Sequence, residues 1–198
     1  MTNSMTALVR CTRAFAMVAA LAVGACSGES KSEQGSTWVQ KGLVAHRAGR
    51  LEEAALDYEQ ALDKDSTDKF GHYDLGVIAQ TTGDNAEAES YYRSALRIDP
   101  SFGLAMFNLA IVRHAQGDMA GAEDLYRKLI RLDPGKAGSH LNLGFLLRET
   151  GRQAEGDAEL AEAVRLDPSS AGRIPPAEST TTTTTLGTST TVKSNRQR

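Results

Sequence analysis

GLAMFNLAIVRHAQGDMAGAEDLYRKLIRLDPGK, residues 103–136, holds two apolar patterns of helical period around a Gly-Asp turn. Leu104, Phe107 and Ile111 share one face of the first pattern, Leu125, Leu129 and Leu132 one face of the second, and Gly117-Asp118 separates them. That is a helical hairpin, closed by Pro134. Each helix of about 13 residues is roughly 20 Å long at 1.5 Å per residue. One such pair cannot bury its apolar faces by itself, so it needs neighbours of the same kind.

The neighbours are in the sequence. Gly49, Gly83, Gly117 and Gly151 stand 34 residues apart without drift, which divides the chain into 35–68, 69–102, 103–136 and 137–170. Each unit repeats the same small-and-large pattern. Its eighth place is Gly42, Gly76, Ala110 and Gly144, and its twentieth is Ala54, Ala88, Ala122 and Gly156. The twenty-fourth is Tyr58, Tyr92, Tyr126 and Leu160, the twenty-seventh Ala61, Ala95, Leu129 and Ala163, and the thirty-second Ser66, Pro100, Pro134 and Pro168. A period of this length signals stacked helix-turn-helix units. The expected fold is an all-α solenoid of four repeats over 36–170.

Small residues where helices cross, large ones beside them and a closing proline resemble the tetratricopeptide repeat. The resemblance implies a right-handed superhelix with the first helix of each unit on its concave face. The chain departs from the pattern at the fourth place, where Trp38 is followed by His72, Met106 and His140, and at Gly156, where alanine is usual. Gly156 makes the last unit the expected weak point.

The repeats are bracketed by other material. Residues 1–25 contain no acid, carry Arg10 and Arg13, and continue into an apolar stretch from Ala14 to Ala25. Twelve residues are too few to span a membrane, which takes about 20, so the segment reads as an export signal. It ends Leu21-Ala22-Val23-Gly24-Ala25-Cys26, which resembles the bacterial lipoprotein signal. The resemblance implies lipidation at Cys26, where the thiol accepts a diacylglycerol, and an extracytoplasmic chain anchored to a bacterial membrane. In a two-membrane envelope, Ser27 favours the outer membrane. With Cys11 removed, Cys26 is the sole cysteine, which excludes a structural disulfide. Residues 26–35 read as a flexible tether, with a root-mean-square reach of about 15–18 Å over nine residues. Residues 171–198, with a threonine run from Thr180 to Thr185 and few large apolar side chains, read as a disordered tail. Such a tail is either a glycosylated or wall-penetrating stalk or a segment with no dedicated role.

Charge narrows the partners. Without the signal, 20 basic residues face 25 acidic ones, a formal charge of −5 rather than −3, and Cys26 to Ser170 carries 16 against 24. An acidic solenoid without a basic face is a poor match for nucleic acid.

Chemistry is not in view. The four histidines, His46, His72, His114 and His140, fall at repeat positions, with no two at the three-to-five spacing of a helical metal pair. They read as packing or groove-lining residues. Glu52-Glu53 and Glu123-Asp124 read as solvated surface. No catalytic residue, metal site or cofactor is expected.

The resemblance makes the fifth, sixth, ninth and twelfth places the groove. The sixth is Gln40, Asp74, Asn108 and Asn142, a row of amide or carboxylate groups that can hydrogen-bond an extended peptide backbone. It is similar to the asparagine rows of some superhelical members, although asparagine is also simply common there. The fifth place is Val39, Tyr73, Phe107 and Leu141, and the ninth Leu43, Val77, Ile111 and Phe145. Either these pack between units or they form an apolar groove, with Tyr73, Phe107, Ile111 and Phe145 gripping a partner. Val39 stands where family members that clamp a C-terminal carboxylate carry a basic residue.

The implied function is a non-catalytic, membrane-tethered adaptor for a peptide or protein partner, of the kind that serves pilus or secretion-channel assembly or cell-wall enzymes. The alternative is a homo-oligomer stacking through an uncapped C-terminal end, with Leu160, Val164 and Leu166 exposed.

Overall fold

The computed structural model describes residues 31–175. Residues 1–30, which include the stretch read as an export signal and Cys26, and residues 176–198 lie outside the described residues, and so do the expectations placed on them. Eight α-helices follow one another: α1 (Lys31–Arg47), α2 (Leu51–Lys64), α3 (Lys69–Thr82), α4 (Asn85–Ile98), α5 (Gly103–Ala115), α6 (Met119–Leu132), α7 (Ala137–Glu149) and α8 (Gln153–Leu166). A 3₁₀ helix, Pro168–Arg173, closes the array. Each odd helix packs on the even helix that follows it, and each even helix packs on the odd helix of the next unit. The expected four-unit all-α solenoid is the observed one, and no strand occurs among the described residues.

Two turn designs recur. Between the helices of a unit the chain passes through a left-handed glycine, with φ from 74° at Gly49 to 89° at Gly83. The next residue's N–H returns to the first helix: Asp84 N donates to Ala79 O at 2.9 Å and Asp118 N to Arg113 O at 2.9 Å. This is a Schellman closure, and it requires a residue without Cβ strain at positive φ. The same aspartates then cap the second helix, Asp84 accepting from Glu87 N and Asp118 from Gly121 N, each at 2.9 Å. Between units an aspartate again turns the chain. Asp65, Asp99 and Asp167 accept from the backbone N–H and hydroxyl of Thr67, Ser101 and Ser169.

The core is built from the small-and-large pattern. Tyr58, Tyr92 and Tyr126 are buried on the second helices, between buried alanines or, in the third unit, Ala122 and Leu129. Their rings lie over the eighth place of the first helix, where a Cβ on Gly42 or Gly76 would come within 2.6 Å of the tyrosine ring. Histidine at the fourth place ties units together. His72 Nε2 lies 3.2 Å from Ser66 O, and His140 Nε2 lies 3.1 Å from Pro134 O with Nδ1 2.7 Å from a Glu159 carboxylate oxygen. At the N-terminal end Lys41 replaces the leucine of later units and sits 3.9 Å over the Trp38 ring, keeping its charge in water above an apolar face.

Four expectations are corrected. Helix α1 begins at Lys31, one turn into the stretch read as tether, because Gly35 is buried against the end of α2 and the helix continues upstream. Glu123 is not solvated surface: Arg127 and Arg152 both contact its half-buried carboxylate at 2.8 Å, and Arg152 reaches on to Glu155, a network joining the third and fourth units. The stretch read as tail opens with structure, since the 3₁₀ helix extends to Arg173, Ser170 is buried and Ile174 packs on Leu141, Leu160 and Ala163. Leu160 is therefore buried rather than exposed, and Val164 and Leu166 are half-buried.

Gly156 is the fourth correction. It does not loosen its unit; it allows α7 and α8 to touch. A Cβ there would lie 2.7 Å from Gly144 O and 2.8 Å from Arg148 Cγ. Alanine is the better helix former by about 1 kcal/mol, but overpacking a tight crossing costs about 1–3 kcal/mol. Gly156→Ala is expected to lower the urea midpoint of unfolding. A rise would mean that the two helices are not in close contact.

Candidate binding groove

The first helices α1, α3, α5 and α7 carry the sixth-place row, and each later member meets the twenty-fourth-place tyrosine of the preceding unit. Asn108 Nδ2 donates to Tyr92 Oη at 3.3 Å and to Tyr73 Oη at 3.4 Å, and Asn142 Nδ2 donates to Tyr126 Oη at 3.4 Å. Tyr92 Oη donates in turn to Gln80 Oε1 at 2.7 Å. These amide contacts are long. Asn108 gives its amide nitrogen to two tyrosines and Asn142 to one, so the carbonyl oxygens of both and one N–H of Asn142 remain for other partners. Burial raises the tyrosine pKa values, that of Tyr126 to about 12, so the hydroxyls stay neutral.

In the second unit a carboxylate replaces the amide. Asp74 has no proton to give when ionised, and Tyr58 Oη, fully buried, has no hydrogen-bond partner among the described residues. Burial, and then the charge of Asp68, push the Asp74 carboxyl up to about 6. Gln40, the first member of the row, is exposed and lines a separate concavity between α1 and α2 with Trp38, Val44 and Asp57.

The apolar places divide. Val39 and Leu141, at the two ends of the fifth-place row, are buried, whereas Tyr73 and Phe107 are half-buried. Tyr73 packs edge-on against Phe102, with centroids 5.4 Å apart, and Phe107 edge-on against Tyr126 at 6.0 Å. The ninth-place residues are all half-buried. Phe107, Ile111, Asn142 and Phe145 come together around a cavity of about 460 Å³, with His114, Tyr126, Gly138 and Arg173. His114 Nε2 lies 2.6 Å from Glu149, across two first helices. Val39 and Leu141 thus pack at the ends of the row, while Phe107, Ile111 and Phe145, but not Tyr73, border the cavity.

A second cavity of about 610 Å³ adjoins the first across Phe107 and Gly138 and was not anticipated from the sequence. Phe102, Leu104, Leu129 and Leu132 line it, Leu104 and Leu132 being about half exposed, with Asp133 and Lys136 at its rim. Space exists because Gly138 stands where Phe70 and Leu104 stand in the preceding units. Fully buried Ser139 also lines it, and its hydroxyl has no hydrogen-bond partner among the described residues. A small residue at a place that is large in the second and third units was the available signal. Among the described residues no group of three metal-ligating side chains occurs, and no helix is long and apolar enough to cross a membrane.

Family models described as tetratricopeptide repeat match residues 18–69, 73–137 and 137–170. None of the curated proteins matches the sequence. Among solved structures, MamA from Desulfovibrio magneticus RS-1 is similar with a TM-score of 0.64 and 19% identity, over 69% of this chain and 77% of that one. Pseudomonas aeruginosa pilF gives a TM-score of 0.64 and 24% identity over 71% and 66%. YrrB, described as a TPR protein with an unusual peptide-binding site, gives 0.60 and 21% over 66% and 68%.

The Asp74 environment predicts a pH effect. Its folded pKa lies above the ordinary 3.8, so the folded state binds the proton more tightly. The ionised form therefore opposes folding, and stability falls as pH rises from about 4 through about 6. Asp74→Asn removes that opposition and supplies a donor for Tyr58. It is expected to stabilise the protein by about 1–2 kcal/mol at pH 7.5, allowing for partial solvent screening, with the gain shrinking as pH falls below about 6 and smallest near pH 4 and below. Denaturant melts across pH 3.5–7.5 check this, and a pH-independent difference would contradict it.

Proposed function

Because the chain belongs to the tetratricopeptide repeat family, we propose that it is a non-catalytic interaction scaffold that holds an extended segment of a protein partner in its concave groove. The observation supporting this is that Asn142 lines the smaller cavity with Phe107, Ile111 and Phe145, and that the larger apolar cavity adjoins it across Phe107 and Gly138. The amides suit a peptide backbone and the cavities suit apolar side chains. YrrB is described as having a peptide-binding site, which agrees with this use of the fold. Val39 is buried in the first unit where a carboxylate clamp needs a cation, so the partner is read as an internal segment rather than a chain terminus.

We further propose that the scaffold works at a membrane. The supporting feature is the stretch from Arg10 to Cys26, a short apolar segment ending in a cysteine. Lipid on Cys26 would leave five residues, 26–30, before α1, at most about 17 Å of extended chain. The repeats would then lie against the bilayer surface on the outer side of a bacterial membrane. The alternative, assembly of copies through the C-terminal end, has little apolar area to draw on with Leu160 covered.

Two experiments separate these claims. Cys26→Ser is expected to move the protein from the membrane fraction to the soluble fraction, and full retention on the membrane would rule out the lipid anchor. Asn108→Ala with Asn142→Ala is expected to weaken binding of a partner recovered by crosslinking from native membranes by about 1 kcal/mol or more per lost buried hydrogen bond. Unchanged affinity in isothermal titration would end the backbone-row reading.

A further inference from the structure

The closing 3₁₀ helix does not lead the chain away from the solenoid. Ile174 packs on Leu141, Leu160 and Ala163 beside Phe145, and Arg173 lines the same cavity as Ile111 and Asn142. The last described residue, Pro175, follows directly at the C-terminal mouth of the groove. We propose that residues 176–198 dock in the concave groove of their own chain and occlude it until a stronger ligand displaces them. This rests on the reading of the groove as a peptide site.

Length permits it. Twenty-three residues follow Pro175, and extended chain at about 3.3 Å per residue spans roughly 75 Å. Packed helices lie about 8–10 Å apart, so four first helices in a row are crossed within about 40 Å. Composition suits it as well. Pro175-Pro176 disfavours a helix at the point of entry. The six threonines of 180–185 are β-branched and favour extended backbone, the form that an amide row can bond. Leu186 and Val192 are the large apolar side chains available for the groove pockets.

Charge agrees in sign and in direction. Residues 31–175 hold 17 basic and 23 acidic side chains, whereas 176–198 hold three basic and one acidic. The basic residues, Lys193, Arg196 and Arg198, fall at the far end. Running from the fourth unit back toward the first, that end reaches Asp74, a groove carboxyl that makes no ion pair among the described residues. Tethering does the rest. A short-linked segment has an effective concentration of about a millimolar, so a tail with a dissociation constant of about 100 µM in trans would weaken a competing peptide roughly tenfold.

The test uses the soluble mature chain carrying Cys26→Ser. A photo-crosslinking Phe145→p-benzoylphenylalanine variant is irradiated and its products mapped by mass spectrometry. In parallel, a synthetic peptide of residues 176–198 is titrated into the full chain and into a chain ending at Pro175, each checked for helical content. Expected are intramolecular crosslinks from position 145 to residues 177–192, and at least tenfold tighter peptide binding by the shortened chain. Equal affinities with no crosslink to the tail overturn the proposal, and crosslinks formed only between two molecules overturn it in favour of exchange between copies. An array of unrelated extended peptides separates the two levels of failure. If the shortened chain binds array peptides but not 176–198, only the tail proposal falls; if it binds none, the groove reading falls with it.

Discussion

One side chain in each of the first three units couples everything else: the tyrosine at the twenty-fourth place. Its ring fills the space left by a glycine or alanine across the hairpin, at Gly42, Gly76 and Ala110, which holds the two helices of a unit together. In the second and third units its hydroxyl reaches the next unit, where Asn108 and Asn142 donate to it. The polar floor of the groove is therefore rooted in the hydrophobic core. A residue chosen for packing sets the position of the amides that would read a peptide, and a change at either place is felt at both.

This coupling explains why some features could be read from the sequence and others could not. The hairpins, their turns and the eighth-place glycines repeat at fixed spacing, and each has a local cause: positive φ at Gly49 and Gly83, an aspartate cap at Asp84 and Asp118. Local causes leave periodic marks. The Glu123, Arg127, Arg152 and Glu155 network does not repeat, because it depends on which side chains meet across the single junction between the third and fourth units. The larger cavity beside Phe107 is likewise an exception to the period, produced by Gly138 where other units have Phe70 and Leu104. Gly156 looked like a weakened alanine, and only the distance to Gly144 reveals a contact that needs a missing Cβ.

The groove row was legible as a set of residues but not as a set of environments. Gln40, Asp74, Asn108 and Asn142 share one place in the period, yet Gln40 is exposed at an end, Asp74 makes no hydrogen bond to the buried Tyr58 hydroxyl, and the two asparagines are held by tyrosines. The difference follows from what each has behind it. A sixth-place side chain is positioned by the tyrosine of the unit before, so the first unit cannot position its own.

The same logic accounts for where the array stops. A tyrosine at position 160 would present a hydroxyl to a fifth unit; the chain has Leu160, which is buried against Gly144 and presents none. Ala171 to Ile174 occupy the first four places that a fifth unit would use, and there the chain ends a short 3₁₀ helix at Arg173, with Ile174 covering the last hairpin. Ending the solenoid by a folded-back turn instead of a full helix brings Ile174 against Leu141 of the last unit's first helix and Arg173 to the cavity lined by Ile111 and Asn142. Termination and the covering of the last hairpin are thus consequences of one substitution pattern, leucine for tyrosine followed by a short turn in place of a helix.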